Sequence, residues 1–392
     1  MRQSRADIER KLFEIENELS KLDIRSSNLI GGDLGITLFN FNYYLLLKQD
    51  KHLEKVINQI QLMTSFNLGK NATLCNGLAG YAWLLNYFYK NELIDTSINS
   101  YLKVLEEYLL PSMLRATRHE NYDFLHGGGG IAWYFLSRLP NNEVKSYLSR
   151  FIDALYSTRI ECTNGTIKWK SQIGVNRIEG FNISLSHGIA SLIVILSKLL
   201  LNGINPRKTK FLLNGAVEYI LQQKLANGKF ISIYPSLALE SSNVLSPSRL
   251  GWCYGDLGIA ISLWHAANAT HNELWKQEAI NTFLHSAKRR ILNENMVEDA
   301  GLCHGCAGIA HIFNRMYIST KVVDFKDAAD FWISKTLDKG KFGDGLAGYK
   351  FMREGNVSNE ISILEGIAGI GLALMSYLDS DIQEWDECLL MI

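Results

Sequence analysis

Proline is nearly missing from this sequence: 5 in 392 residues, about 1.3% against a usual ~5%. Few positions therefore interrupt a helix by removing a backbone donor. Net charge is missing too. The 40 Lys and Arg balance the 40 Asp and Glu, which removes the electrostatic basis for binding nucleic acid or an anionic membrane, partners that reward clustered positive charge. No apolar stretch approaches the ~20 residues of a membrane span; IASLIVIL at 189–196 is among the longest. The first 22 residues are charged throughout and lack the apolar core of a secretory signal, so a cytoplasmic protein is expected. Six scattered cysteines, at 75, 162, 253, 303, 306 and 388, do not suggest a disulfide framework in a reducing compartment. Those near histidines are candidates for metal binding or catalysis.

Glycine is plentiful, at 31 residues, and its placement is periodic. A short turn, Gly-x-x-Gly or close to it, precedes an apolar run seven times: GDLG at 32–35, GLAG at 77–80, GGGG at 127–130, GIAS at 188–191, GDLG at 255–258, GCAG at 305–308 and GIAG at 366–369. The steps between first glycines are 45, 50, 61, 67, 50 and 61 residues. The runs that follow, such as GLAGYAWLLNYFYK and GIASLIVILSKLLL, are apolar on nearly every side, the pattern of a helix buried all round. Between them lie charged amphipathic segments at 5–22, 50–65, 94–110, 142–157, 207–225, 271–292 and 324–337. Strict alternation of seven inner and seven outer helices predicts an all-α chain, an α/α toroid. No linker divides it, so residues 1–392 are expected to form a single domain. The stretches 159–181 and 226–250 lack helical periodicity and read as insertions covering one end.

Aligned on the first glycine, the preceding position holds Gly31, Asn76, His126, His187, Tyr254, His304 and Glu365, and the one before it holds Cys75, Cys253 and Cys303 among others. Equivalent positions of a ring of repeats should lie at one height and converge at one mouth. Cys253 and Cys303 share an offset in consecutive copies, and His304 adjoins the second. Two thiolates and an imidazole are a donor set suited to zinc, and three protein ligands leave a fourth position open for substrate. Each thiol by itself is equally a small core residue, so on the residues alone metal binding and packing both stand. Cys303-x-x-Cys306 imitates a redox pair without the βαβ context that pair needs, and Cys306 reads as packing, as do Cys75, Cys162 and Cys388.

Three motifs carry a resemblance: Trp252-Cys253-Tyr254-Gly255, Cys303-His304-Gly305 and the closing run LEGIAG at 364–369. Across essentially its whole length the chain resembles the lanthionine synthetase C-like family, the cyclases of class I lanthipeptide biosynthesis and their relatives. The resemblance implies a seven-fold α/α toroid and one Zn²⁺ held by Cys253, Cys303 and His304. It implies catalytic roles for His187 in Ser186-His187-Gly188 and for Asp123 after Tyr122, and a further role for Arg249 shortly before the cysteine. One departure is His126, where relatives often carry an acidic residue. The implied partners are a dehydrated precursor peptide as substrate, with a lanthipeptide dehydratase and an exporter, and through them a peripheral place at the inner membrane; nucleic acid is not among them.

The implied reaction adds a peptide cysteine thiol to dehydroalanine or dehydrobutyrine and makes a thioether ring. The thiolate is the nucleophile, and a free cysteine has a pKa of ~8.5. The addition leaves an enolate that needs a proton at Cα. His187 is the candidate acid–base group, with Asp123 as its partner, or as a helix cap only. Arg249 either stabilises the enolate oxygen or anchors a loop, and Tyr254 stands beside a ligand. Two other readings share the pattern: a relative that adds glutathione to dehydroamino acids, and a non-catalytic zinc-stabilised scaffold that binds peptides. Protein prenyltransferase β subunits are toroids with a thiolate-activating zinc as well, but an Asp is expected there two residues before the cysteine, where this chain has Gly251.

Overall fold

The computed structural model describes residues 4–173, 178–226, 228–238, 246–353 and 355–391. Among them the chain forms fourteen α-helices: α1 (Arg5–Leu19), α2 (Leu34–Leu47), α3 (Asp50–Met63), α4 (Leu78–Lys90), α5 (Ile98–Arg118), α6 (Gly128–Ser137), α7 (Asn142–Thr158), α8 (Ile189–Leu201), α9 (Pro206–Leu221), α10 (Asp256–Thr270), α11 (Glu273–Ala287), α12 (Cys306–Thr320), α13 (Val323–Lys339) and α14 (Ile367–Leu378). The even-numbered seven each begin at a glycine turn. The odd-numbered seven are the charged helices.

The two classes bury differently, as their sequences require. In α8 every residue from Ile189 to Ser197 is buried. In α1 only Ile8, Leu12, Ile15 and Leu19 are, one stripe at helical spacing. Ser4 starts α1 with a capping box, its hydroxyl accepting from the Asp7 amide while the Asp7 carboxylate takes the Ser4 amide. The charged helix α5 runs past Pro111 to Arg118, eight residues beyond the segment read from sequence. Met113, Leu114 and Thr117 are buried in this extension and offset the lost hydrogen bond.

In the sixth and seventh copies the second glycine of the turn is a packing requirement, whereas the fourth copy has Ser191 there. A Cβ at Gly308 would stand 1.9 Å from the Leu302 carbonyl oxygen, and one at Gly369 only 1.8 Å from that of Ile363. Each helix thus lies directly against the strand of chain that leads into it.

The helices gather into two compact units, Asn71–Arg289, and Met1–Lys70 with Arg290–Ile392. In the first, α4, α6, α8 and α10 lie in a row, each packed on the next and backed by α5, α7, α9 and α11. In the second, α12, α14 and α2 make the row, backed by α13, α1 and α3. Successive turns are tied by main-chain bonds. The Cys75 amide donates to the Leu125 carbonyl (3.0 Å) and that of Leu185 to Cys253 (3.1 Å). In the other unit, the Cys303 amide donates to Leu364 (2.9 Å) and that of Ile363 to Ile30 (3.2 Å).

Of the two stretches without helical periodicity, residues 174–177, 227 and 239–245 lie outside the described residues. The rest holds β1 (Ile160–Glu161), β2 (Ile167–Lys168), β3 (Ser171–Ile173), β4 (Ile178–Asn182) and β5 (Leu237–Ala238). β1 and β2 pair antiparallel. β4 joins β3 to β5, with Asn182 opposite Leu237, so the two insertions form one small sheet that ends five residues before His187. A further hairpin, β6 (Phe351–Arg353) with β7 (Asn356–Ser358), precedes α14.

Candidate active site

The turns before α6, α8 and α10 bring chemically active side chains together because each turn is pinned by short-range bonds. His187 Nδ1 and Asp123 Oδ2 are 2.7 Å apart. Asp123 Oδ1 accepts the His126 amide at 2.8 Å, so this carboxylate organises its own turn and also reaches the next. Tyr122 beside it is buried and donates to the Trp169 carbonyl at 2.9 Å. On the other side, the His187 amide donates to Ser184 Oγ (3.1 Å), the Ser184 amide to Asn182 Oδ1 (2.9 Å), and the Asn182 amide to Ser171 Oγ (2.6 Å). The small sheet thereby sets the position of His187.

Electrostatics shift the titration of His187 upward. Burial works against the charged ring, but the hydrogen bond and charge of Asp123 outweigh it, with Cys253 adding to them, and the pKa lies above its ordinary value. With Nδ1 committed to Asp123, Nε2 is the nitrogen left for substrate.

Tyr254 lies next to this pair, its ring 6.1 Å from that of His187. Burial raises its hydroxyl pKa, so it stays a donor. Asn182 Nδ2 is 3.4 Å from the hydroxyl oxygen. Arg249 is half-buried, and among the described residues its guanidinium makes no hydrogen bond or ion pair. Its main chain is fixed by a neighbour. Gly255 has φ +97°, and a Cβ there would meet Ser248 Oγ at 2.4 Å and the Arg249 oxygen at 2.6 Å, so only glycine lets the chain cross itself.

Sequence reading missed the device that holds this crossing. Asp256, fully buried at the start of α10, accepts the amides of Ile233 and Tyr234 (3.1 and 2.9 Å) and pairs with Arg289 Nη1 at 2.9 Å. Arg289 Nη2 donates to the Ser248 carbonyl at 2.9 Å. The signal was present in the repeated GDLG: Asp33, the aspartate of the first copy, likewise takes two incoming amides, from Arg25 and Ser26. Asp256→Ala strands a buried guanidinium and should cost about 3–5 kcal/mol. Asp33→Ala loses only two neutral-donor bonds near the surface and should cost about 1–2 kcal/mol. Urea unfolding of the two variants checks the difference; equal losses would remove the special role of the ion pair.

The remaining candidates are Cys253, buried, with Cys303 and His304, both half-buried; one ligand atom from each lies within 4.8 Å of the others. Tetrahedral zinc with bonds of ~2.3 Å sets sulfur atoms about 3.8 Å apart, so the donor set fits such an ion. Asp299 shapes the turn that carries Cys303 and His304, accepting the Gly301 amide at 2.8 Å and the Met352 amide at 3.2 Å. The other cysteines differ in setting. Cys306 begins α12 with its thiol pKa pushed up to about 12 by burial, Cys388 is raised by burial as well, Cys75 is buried and Cys162 half-buried.

The family model described as "Lanthionine synthetase C-like protein" matches residues 23–390. The nisin biosynthesis protein NisC of Lactococcus lactis subsp. lactis is 24% identical over 374 residues, spanning 88% of this chain and 82% of its own. The solved structure of nisin cyclase superposes with a TM-score of 0.79 at 18% identity, covering 98% of both chains. That structure is an α/α toroid, and this chain has the same fold.

Proposed function

The chain belongs to the lanthionine synthetase C-like family, and from this membership and its site we propose that it is a zinc-dependent lanthionine cyclase, adding peptide cysteine thiols to dehydroalanine or dehydrobutyrine in a precursor peptide. The observation that carries the reading is the company of two groups. A thiol–thiol–imidazole set shares the segment Cys253-Tyr254 with an acid–base pair, His187 and Asp123.

Cys253, Cys303 and His304 would hold a zinc ion in this site. Zinc, when bound, supplies the Lewis acidity that lets a thiol lose its proton near neutral pH. His187 Nε2 accepts that proton, and Asp123 steadies the resulting imidazolium. The sulfur lone pair then forms the bond to Cβ, and the alkene pair moves toward the carbonyl oxygen as an enolate. Arg249, with no hydrogen-bond or ion-pair partner among the described residues, donates to that oxygen. The enolate pair returns to Cα and takes the proton from His187, which restores the base. Tyr254 keeps its proton and orients substrate by donating from its hydroxyl, with Asn182 holding the ring in place.

The substrate is an already dehydrated precursor peptide, so a lanthipeptide dehydratase acts before this enzyme and an exporter after it, and the enzyme works in the cytoplasm. Among the described residues no helix is long and apolar enough to cross a membrane. The test is ring closure on a dehydrated, cysteine-containing peptide. Free thiols should disappear, measured by alkylation, with no change in peptide mass. Adduct formation with added glutathione in place of ring closure would overturn the reading.

A further inference from the structure

His126 has no part in the mechanism above, yet it is placed with care. Its ring lies 5.8 Å from that of His187 between centroids, with the planes 20° apart. The residue is held at both ends of its peptide unit. Asp123 Oδ1 takes its amide at 2.8 Å, and Asn121 Nδ2 reaches its carbonyl oxygen at 3.3 Å. One carboxylate therefore aligns two imidazoles, His187 by its ring and His126 by its main chain. His187 and Asp123 are part-buried, with side chains 28% and 22% exposed, whereas His126 is exposed. The His126 ring makes no hydrogen bond among the described residues.

The proton count gives this ring a task. Ring closure moves one proton from sulfur to Cα. Whenever the thiol proton escapes to water, His187 must be recharged from solvent before the enolate can be quenched. Asp123 is engaged on both oxygens, and Tyr254 holds its proton tightly.

We propose that His126 is a proton-relay residue that exchanges protons between solvent and Nε2 of His187 across a bridging water. A water can bridge two polar groups that lie beyond direct hydrogen-bond reach. Imidazole is the side chain suited to such a shuttle near neutral pH. His126 acts through His187 and does not bind the metal or the enolate.

This inference rests on the cyclase reading, and the experiment separates the two. Ring closure is followed at low buffer concentration for the wild-type protein, His126→Ala and His126→Phe, and again with rising concentrations of MOPS, a buffer that does not bind metals. His126→Ala should lose roughly tenfold in kcat with KM unchanged, less than loss of a direct acid–base group. MOPS should restore the rate while leaving the wild type unaffected. His126→Phe, which keeps an aromatic ring beside His187, should show the same loss. An undiminished rate in His126→Ala, a loss that buffer cannot repair, or full activity in His126→Phe would each overturn the relay. A wild-type protein that closes no ring would count against the cyclase reading instead.

Discussion

Cys303→Ala is expected to strip the protein of its metal and slow ring closure at least about a thousandfold, since Lewis-acid activation contributes several kcal/mol to such reactions. Cys253→Ala should do the same. Elemental analysis of freshly purified protein should find about one zinc per chain in the wild type and almost none in either variant. Cys75→Ala and Cys306→Ala are the controls: they lie outside the three-donor group and should keep their zinc. The helices should survive. Both rows of glycine-turn helices are buried along most of their length, so their stability comes from packing and not from an ion, unlike a zinc finger. Far-UV circular dichroism of the chelated protein should remain strongly helical. A coil spectrum on chelation would assign the metal a structural role, and zinc-free wild-type protein with full activity would end the metal mechanism.

His187→Asn should leave zinc content and helicity intact and reduce ring closure by roughly 10²–10⁴, the range for a positioned acid–base group. The spontaneous addition must be subtracted with a no-enzyme control, and the diastereomer ratio of the ring gives a second reading. Asp123→Asn should act differently in its pH profile. The hydrogen bond and charge of Asp123 raise the His187 pKa against burial. Without that charge, burial dominates and the His187 pKa falls. The ring then gives up its proton at lower pH, so both the limb that needs neutral His187 and the limb that needs its protonated form should move toward acid. An unchanged pH profile in Asp123→Asn would reduce the carboxylate to its other role, that of holding the His126 amide. Loss of zinc in either variant would place the residue among the metal ligands.

The fold was legible because the turn imposes its glycines. A carbonyl pressed to within 2 Å of where a Cβ would stand, as at Gly308 and Gly369, admits no other residue, and the repeat survives as a visible pattern. The alternation of all-round apolar runs with one-sided ones marked which helices are buried. The end of α5 was not legible, since Pro111 reads as a stop and only the burial of Met113 and Leu114 shows why the helix continues. The joining of the two insertions through β4 and β5 was hidden because it links Asn182 to Leu237, far apart in sequence and without a local signature. In the site, the pre-glycine register pointed to Cys253, Cys303, His304 and His187. Asn182 and Ser184, which support His187, belong to the commonest turn-forming residue types, and nothing in their spacing distinguishes them from ordinary loop residues.

The main-chain bonds between successive turns make architecture and chemistry separable in this protein. Turn geometry is set by glycines and by carbonyl–amide pairs such as Cys303 with Leu364 and Cys75 with Leu125, none of which depends on what the pre-glycine side chain is. That position is accordingly free to vary: Asn76, His126, Tyr254 and Glu365 occupy it in different copies without altering the frame. Cys75-Asn76-Gly77 differs from Cys303-His304-Gly305 at one side chain. The protein is in this sense modular at the level of single residues, and the turns that now carry inert groups are the natural places to graft new donors while leaving the backbone as it is.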